Sequence, residues 1–317
     1  MRRLLISAGL LFLILVVALA GCAGEEEAAE EAKGPIVVGS KIDTEGSLLA
    51  QMIILVLRDR GFEVTDRSQF GPTSVVKKAL ESGEIDIYPE YTGNGAFFFD
   101  EADSPVWKDA VEGYERVREL DLEQNDVVWL KPAPANNTWA IAIRRDLADR
   151  HDIRTLEDLA RYVKSGATDP MVKLIGSEEF VSSPAALPAF QEAYGFTLSQ
   201  EQLVTVSSGD TTQTEKAAGE GTDDINAAMA YGTDGTIDAF DLVVLDDPLG
   251  VQPVYQPAPR VRGEVMERYP EIAGILDPVF ESLTLEKLQE LNGRIAVAGE
   301  NPADVARGYL TSEGFLK

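Results

Sequence analysis

Between Pro35 and Tyr91 the sequence alternates between two hydrophobic periods, and that alternation restricts the fold more than any other feature. "PIVVGSK" (35–41) is a short apolar run closed by Gly-Ser-Lys. "DTEGSLLAQMIILVLRDRG" follows at helical spacing, with Asp43 or Thr44 as N-cap and Gly61 as the stop. "FEVTDRS" (62–68) reads as a second strand, "GPTSVVKKALESG" as a helix from Thr73 to Gly83, and "EIDIYPEY" as a third strand. Strand, helix, strand, helix, strand in so short a span predicts a parallel α/β sheet.

The pattern continues with a helix over Pro105 to Leu120 and a strand at 126–132, then restarts after Asn136. A strand at 138–146 precedes a helix at 155–166, whose Thr155 and Asp158 form a capping-box pattern. A strand at 173–177, a helix from Pro184 to Tyr194 and a strand at 203–209 follow. "TTQTEKAAGEG" and "INAAMAYGTDG" add a helix and a strand. From "FDLVVLDDP" (240–248) the chain passes through "VQPVYQPAPRVR" to three helical segments near 263–281, 285–293 and 302–313. These are two α/β units of similar plan, with no exact internal repeat.

The N-terminus, "MRRLLISAGLLFLILVVALAGC", has a basic start and an uncharged apolar run from Leu4 to Ala20, the outline of a secretory signal peptide. The run is about as long as the shortest membrane-spanning helices, roughly 17 residues, so an uncleaved anchor is the alternative. "LAGC" resembles the bacterial lipobox, which implies cleavage before Cys22 and lipidation of its thiol. Cys22 is the single cysteine, so no intramolecular disulfide forms and the fold rests on its core. Residues 23–35, "AGEEEAAEEAKGP", are acidic, of low complexity and without aromatics, the composition of a flexible tether. The formal charge is −26, or −28 with 54 acidic residues against 26 basic ones once Arg2 and Arg3 leave. Such a surface repels nucleic acid and anionic headgroups.

Chemistry that needs histidine or cysteine has little support. His151 sits among charges just before a helix, as a solvated surface residue does. With Cys22 assigned to the anchor there is no Ser-His or Cys-His pairing, no Cys/His metal cluster, no G-x-S-x-G elbow and no phosphate loop. Asp223, Asp224, Asp234 and Asp238 do not have the spacing of an EF-hand and read as turn and cap residues. No metal and no cofactor is expected.

Binding is better supported. In open α/β sheets ligands sit beyond the carboxyl ends of strands. "GSK", "YPEYTGN" and "YGTDG" are such ends, and Trp139 opens the strand at the junction between the two units. Together they offer Tyr91, Trp139 and Tyr231, with Tyr88 in reserve. Aromatic faces attract quaternary ammonium groups, which have no N–H to donate. Thr92 and Asn94 supply polar groups for the other end of a ligand, Gly93 and Gly95 let backbone approach, and Pro89 and Glu90 brace the turn.

"IVVGSKIDTEGSLLAQMIILVLRDRGFEV", "GEIDIYPEYTGNG", "NNTWAIAIRRDLA", "AYGTDGTIDAFDLVVLDDPLG" and "PAPRVR" resemble, in order over nearly all of 36–315, the glycine betaine/choline/carnitine substrate-binding proteins of ABC importers. The resemblance implies an α/β, two-lobed, periplasmic-binding-protein-like fold (type II), with two hinge crossovers and a ligand cleft between the lobes. Lobe 1 would comprise 36–137 and 245–317, lobe 2 138–244, after a signal peptide at 1–21 and a tether at 22–35. It implies a separate permease and ATPase, and a protein held to the outer face of the membrane by the Cys22 lipid. By position, Lys41 matches a residue that meets the ligand carboxylate. Tyr91 and Tyr231 match cage tyrosines, and Trp139 replaces another in the segment opened by Asn136, Asn137 and Thr138. Asn94 stands near where relatives often have a hydroxyl that binds the ligand carboxylate. Asn137, Ser183 and Thr212 complete the expected ligand-binding set. Ser182 and Ser183 stand where relatives place an arginine or other donor, and Thr211, Thr212 and Thr214 where they place a further tyrosine. The expected function is capture of a quaternary ammonium osmoprotectant by lobe closure and delivery to the permease. The alternatives are a binder of another small zwitterion such as an amino acid, or a secreted hydrolase working with carboxylates.

Overall fold

Ten strands form two five-stranded sheets in a computed structural model that describes residues 33–166, 169–207 and 211–316. The expected signal peptide, Cys22 and most of the acidic tether lie outside the described residues. The strands are β1 (Lys33–Lys41), β2 (Phe62–Gly71), β3 (Ile87–Tyr91), β4 (Val127–Trp129), β5 (Trp139–Arg144), β6 (Leu174–Ser177), β7 (Leu203–Val206), β8 (Ala227–Tyr231), β9 (Leu242–Val244) and β10 (Pro257–Arg262). One sheet has the order β2-β1-β3-β10-β4 and the other β7-β6-β8-β5-β9. Each is the middle layer of its own lobe.

The three strands between Pro35 and Tyr91 pair in parallel as expected, whereas each sheet as a whole is mixed. β1 is parallel to β2 and β3, but β10 is antiparallel to both β3 and β4. β5 is likewise antiparallel to β8 and β9. The reason is topological. β5 and β10 are the strands by which the chain enters a sheet from the other lobe, so each starts at the edge where its neighbours end. Register makes this concrete: Trp139 at the start of β5 pairs with Tyr231 at the end of β8, and Pro257 at the start of β10 pairs with Tyr91 at the end of β3.

The helix Thr44–Asp59 anchors the first lobe. Asp43 caps it, its carboxylate accepting from Gly46 N at 2.7 Å. From Glu45 to Leu57 only Gln51 is not buried. Leu48, Leu49, Ile53, Ile54 and Leu57 are fully buried, each contributing roughly 1.5–3 kcal/mol. Their core joins residues 36–135 to residues 261–310, whereas a separate core gathers residues between 141 and 245. The Thr155–Asp158 capping box forms, with both reciprocal bonds in place at 3.0 and 3.1 Å. Tyr88 lies in the interior of the first lobe, where its hydroxyl accepts from Arg260 and donates to Glu90. Arg260 is fully buried and forked onto Asp121 at 2.6 and 2.8 Å.

Two crossovers, 130–138 and 245–256, connect the sheets and run beside one another. Asn137 N donates to Tyr255 O at 2.9 Å, and Tyr255 N donates to Asn136 Oδ1 at 2.8 Å. Thr92 pins the second crossover from the end of β3. Its N–H donates to Gln256 O, its hydroxyl donates to Val254 O, and the same oxygen accepts from Gln256 N.

A third junction is a seam of bare backbone. Gly235, after β8, lies against Gly293 of the helix Leu285–Ala296, and a Cβ on Gly235 would fall 2.0 Å from Gly293 N. Across it Gln289 donates to Gly232 O at 2.8 Å and Asn292 to Thr233 O at 2.9 Å. Among the described residues no helix is long and apolar enough to cross a membrane.

Candidate ligand-binding site

The strand ends of both sheets open onto a cavity of about 740 Å³, within the range of small-molecule sites. Lys41 ends β1, Tyr91 ends β3, Tyr231 ends β8 and Trp139 begins β5, and all four line it. Asn94, Asn137 and Thr212 also line the wall, so seven of the nine residues expected from sequence meet here. Thr92 and Ser183 do not line it. Thr92 is buried against the second crossover, and Ser183 follows the short helix Glu178–Ser182, beside the lining residue Ala185.

Trp139 and Tyr231 stack with ring centroids 6.5 Å apart and planes 22° from parallel. Cross-strand pairing at the sheet edge sets this geometry. Tyr91 is engaged differently. One face of its ring carries the Lys41 ammonium, 3.9 Å from the centroid. Its hydroxyl donates to Glu45 Oε1 at 2.7 Å. Lys41 in turn donates to Glu90 Oε1 at 2.8 Å, and Glu90 is fully buried. Glu90 also accepts from Tyr91 N and from Asn94 Nδ2, at 2.8 and 2.7 Å. Glu90 therefore braces the turn as expected, through a charge pair made with Lys41.

The glycines of "YTGNG" admit protein, not open cavity. A Cβ on Gly93 would meet the Tyr255 ring and Val254 O at 2.8 Å, and one on Gly95 the Trp107 ring at 2.6 Å. Gly93 is thus what lets the second crossover and Tyr255 close against β3.

The sequence reading missed Glu45, Tyr255 and Asn292, which also line the cavity. Glu45 is 5% exposed. Besides Tyr91 it accepts from Asn137 Nδ2 at 3.2 Å and Asn292 Nδ2 at 2.6 Å. Burial pushes its carboxyl up to about 7, and Asp43 nearby adds to the rise, while bonds from Tyr91, Thr233 and Asn292 oppose it. Burial also raises the phenols of Tyr91 and Tyr231, and takes that of Tyr255 to about 12. The tyrosines are neutral rings at physiological pH. A legible signal for Glu45 existed: it is an acidic residue in the first turn of an almost wholly apolar helix. Asn137 Oδ1 and Thr138 Oγ1 are buried at the wall without a hydrogen-bond partner in the protein, the condition of groups that face a polar ligand or solvent.

The cavity thus has an aromatic wall, a neutral polar strip at 137–138 and a buried carboxylate, suited to holding a small polar solute. Residues 34–312 match the family described as the substrate-binding domain of ABC-type glycine betaine transport systems. The chain is 52% identical to the glycine betaine-binding protein YehZ of Escherichia coli (strain K12) over 90% of its length and 93% of that protein. It is 33% identical to a glycine-betaine-binding protein of Pseudomonas aeruginosa, over 93% of each. The structure of apo YehZ superposes with a TM-score of 0.83 at 51% identity, over 89% of this chain and 99% of that one. With two mixed-sheet lobes, a cleft at their strand ends and this continuous match, the chain belongs to the family of substrate-binding domains of ABC-type glycine betaine transport systems.

Proposed function

We propose that the protein captures a quaternary ammonium osmoprotectant of the glycine betaine, choline or carnitine type and hands it to a membrane permease driven by an ATPase. The family is one of transport, not of catalysis. The observation that carries the ligand class is the stacked Trp139–Tyr231 pair on the wall of a cavity that also holds Tyr91 and Glu45. Aromatic faces attract a cation that has no N–H to donate, and the carboxylate carries the opposite charge.

In this reading lobe 1 is 36–137 with 245–317 and lobe 2 is 138–244, turning about the paired crossovers to enclose the ligand. Sheet membership supports the division, because β1–β4 and β10 form one sheet and β5–β9 the other. Cleavage after Gly21 and lipidation of Cys22 would hold the protein to the outer face of the membrane. Loss of lipid labelling in Cys22→Ala tests that step.

Isothermal titration with glycine betaine, choline and carnitine tests the site. Each aromatic contact should contribute roughly 0.5–2 kcal/mol. Trp139→Ala and Tyr231→Ala should each weaken binding by very roughly 2- to 30-fold, whereas Tyr231→Phe keeps most of the affinity. Wild-type affinity in both alanine variants would remove the aromatic wall from the mechanism.

A further inference from the structure

Glu45 is a buried carboxylate of the cavity with no cation among its hydrogen-bond donors. Its donors Tyr91, Asn137 and Asn292 are all neutral. Lys41, the lysine of the wall, is held by Glu90 and lies on the Tyr91 ring. The other charged groups on the cavity, Asp43, Glu179 and Asp234, have the same sign as Glu45. On the helix Leu285–Ala296, which brings Asn292, the cations Lys287 and Arg294 pair with Glu290 and Glu300. Tyr231, Thr233 and Tyr255 add only neutral groups.

An ionised carboxylate buried among neutral donors is costly unless a cation comes to it. A glutamine has the same shape and would satisfy these neighbours. Its amide would donate to the Tyr91 oxygen and, with the Asn137 amide turned over, to the otherwise unpartnered Asn137 Oδ1, while its carbonyl would accept from Asn292. The charge is therefore not needed to build the wall. It is useful to a ligand.

We propose that Glu45 is the counter-charge of the cleft, a specificity-determining carboxylate whose ionised form is favoured by a permanently cationic headgroup, so that capture releases a proton from this residue. The inference rests on the quaternary ammonium reading above and adds its electrostatics. In the empty cleft the carboxyl carries its proton for part of the time, since burial raises it to about 7. When the headgroup arrives, the O–H bond of Glu45 breaks, its electron pair stays on the carboxylate and the proton leaves to solvent. Tyr91 can follow the change by rotating its hydroxyl, accepting from the acid and donating to the anion. Asn137 belongs to the first crossover, and Asn292 also holds Thr233 O of the second lobe. The titrating group is therefore in contact with both the hinge and the closing seam.

The test is titration of choline, which does not itself ionise in this range, into the wild-type protein at pH 6, 7 and 8. Each pH is run in two buffers of different ionisation enthalpy. At pH 7 about half a proton should be released per choline, from a group at about 7. Affinity should rise by up to about tenfold from pH 6 to pH 8. In Glu45→Gln the release should vanish and the affinity lose its pH dependence. Equal heats in both buffers, or proton release that persists in Glu45→Gln, would overturn the assignment while leaving the osmolyte reading intact. Should neither choline nor glycine betaine bind the wild type at any of these pH values, the osmolyte reading falls and this inference with it.

Discussion

Replacing Lys41 by methionine separates two roles for this side chain, anchor for a ligand carboxylate and partner of Glu90. Methionine keeps the length and apolar stem and removes the charge. Glu90 is fully buried and the Lys41 side chain is 11% exposed, so the pair is desolvated almost as a unit. Breaking such a pair costs about 3–5 kcal/mol, because one charge stays behind unpaired. Glu90 would keep its bonds from Tyr91 N, Asn94 and Tyr88, which places the loss near the lower figure, about 3 kcal/mol. At about 2–3 °C per kcal/mol for a chain of this size, the melting temperature should drop by roughly 6–9 °C. The double variant Lys41→Met/Glu90→Gln, with no orphaned charge, should recover most of the drop. Calorimetry of the ligand-free protein and both variants reads this directly. A melting temperature within a degree of wild type for Lys41→Met, together with selective loss of carboxylate-bearing ligands, would refute the argument and return Lys41 to the ligand.

Gly235→Ala places a methyl carbon 2.0 Å from Gly293 N, so the seam must part. Overpacking and the weakened Asn292 and Gln289 bonds together predict a loss of about 3 kcal/mol by thermal melting, and an unchanged melt would show that the seam is not held closed. Glu45 should also leave a mark on stability. Its carboxyl sits at about 7 in the fold against an ordinary 4.5, so its contribution is fully present below pH 4.5 and is lost as pH rises through 7. The total is about 3 kcal/mol. Melts of the ligand-free protein at pH 5 and 8 should therefore show wild type losing ground to Glu45→Gln at the higher pH, and parallel curves would refute the buried acid.

Local signals in the sequence were enough to place Tyr91, Trp139 and Tyr231 together, because each ends or begins a strand and strand ends converge. The Thr155–Asp158 cap was legible for the same reason, being a pattern within four residues. What Lys41 and Tyr91 do in the cavity was not. Tyr91 offers a ring on paper, but in the fold one face is occupied by Lys41 and its hydroxyl is spent on Glu45. Those partners come from the end of β1 and the first turn of a helix, about fifty positions away. Asn292 reaches Glu45 from 247 positions further on, a contact created only when the C-terminal helices pack on the first lobe. The reversed strands β5 and β10 escaped notice because hydrophobic period reports burial and not direction.

The two crossovers carry a consequence for how partners perceive the molecule. A body tied to another at two adjacent points keeps one easy motion, rotation about the line through the ties. Splay or sliding would stretch the bonds that Asn136, Asn137 and Thr92 make to the second crossover. The outer faces should therefore trace a single path whatever solute is enclosed, and two solutes of similar bulk should present the same exterior. A permease that reads only the exterior is then blind to chemistry, and discrimination must be finished inside the cleft before it shuts.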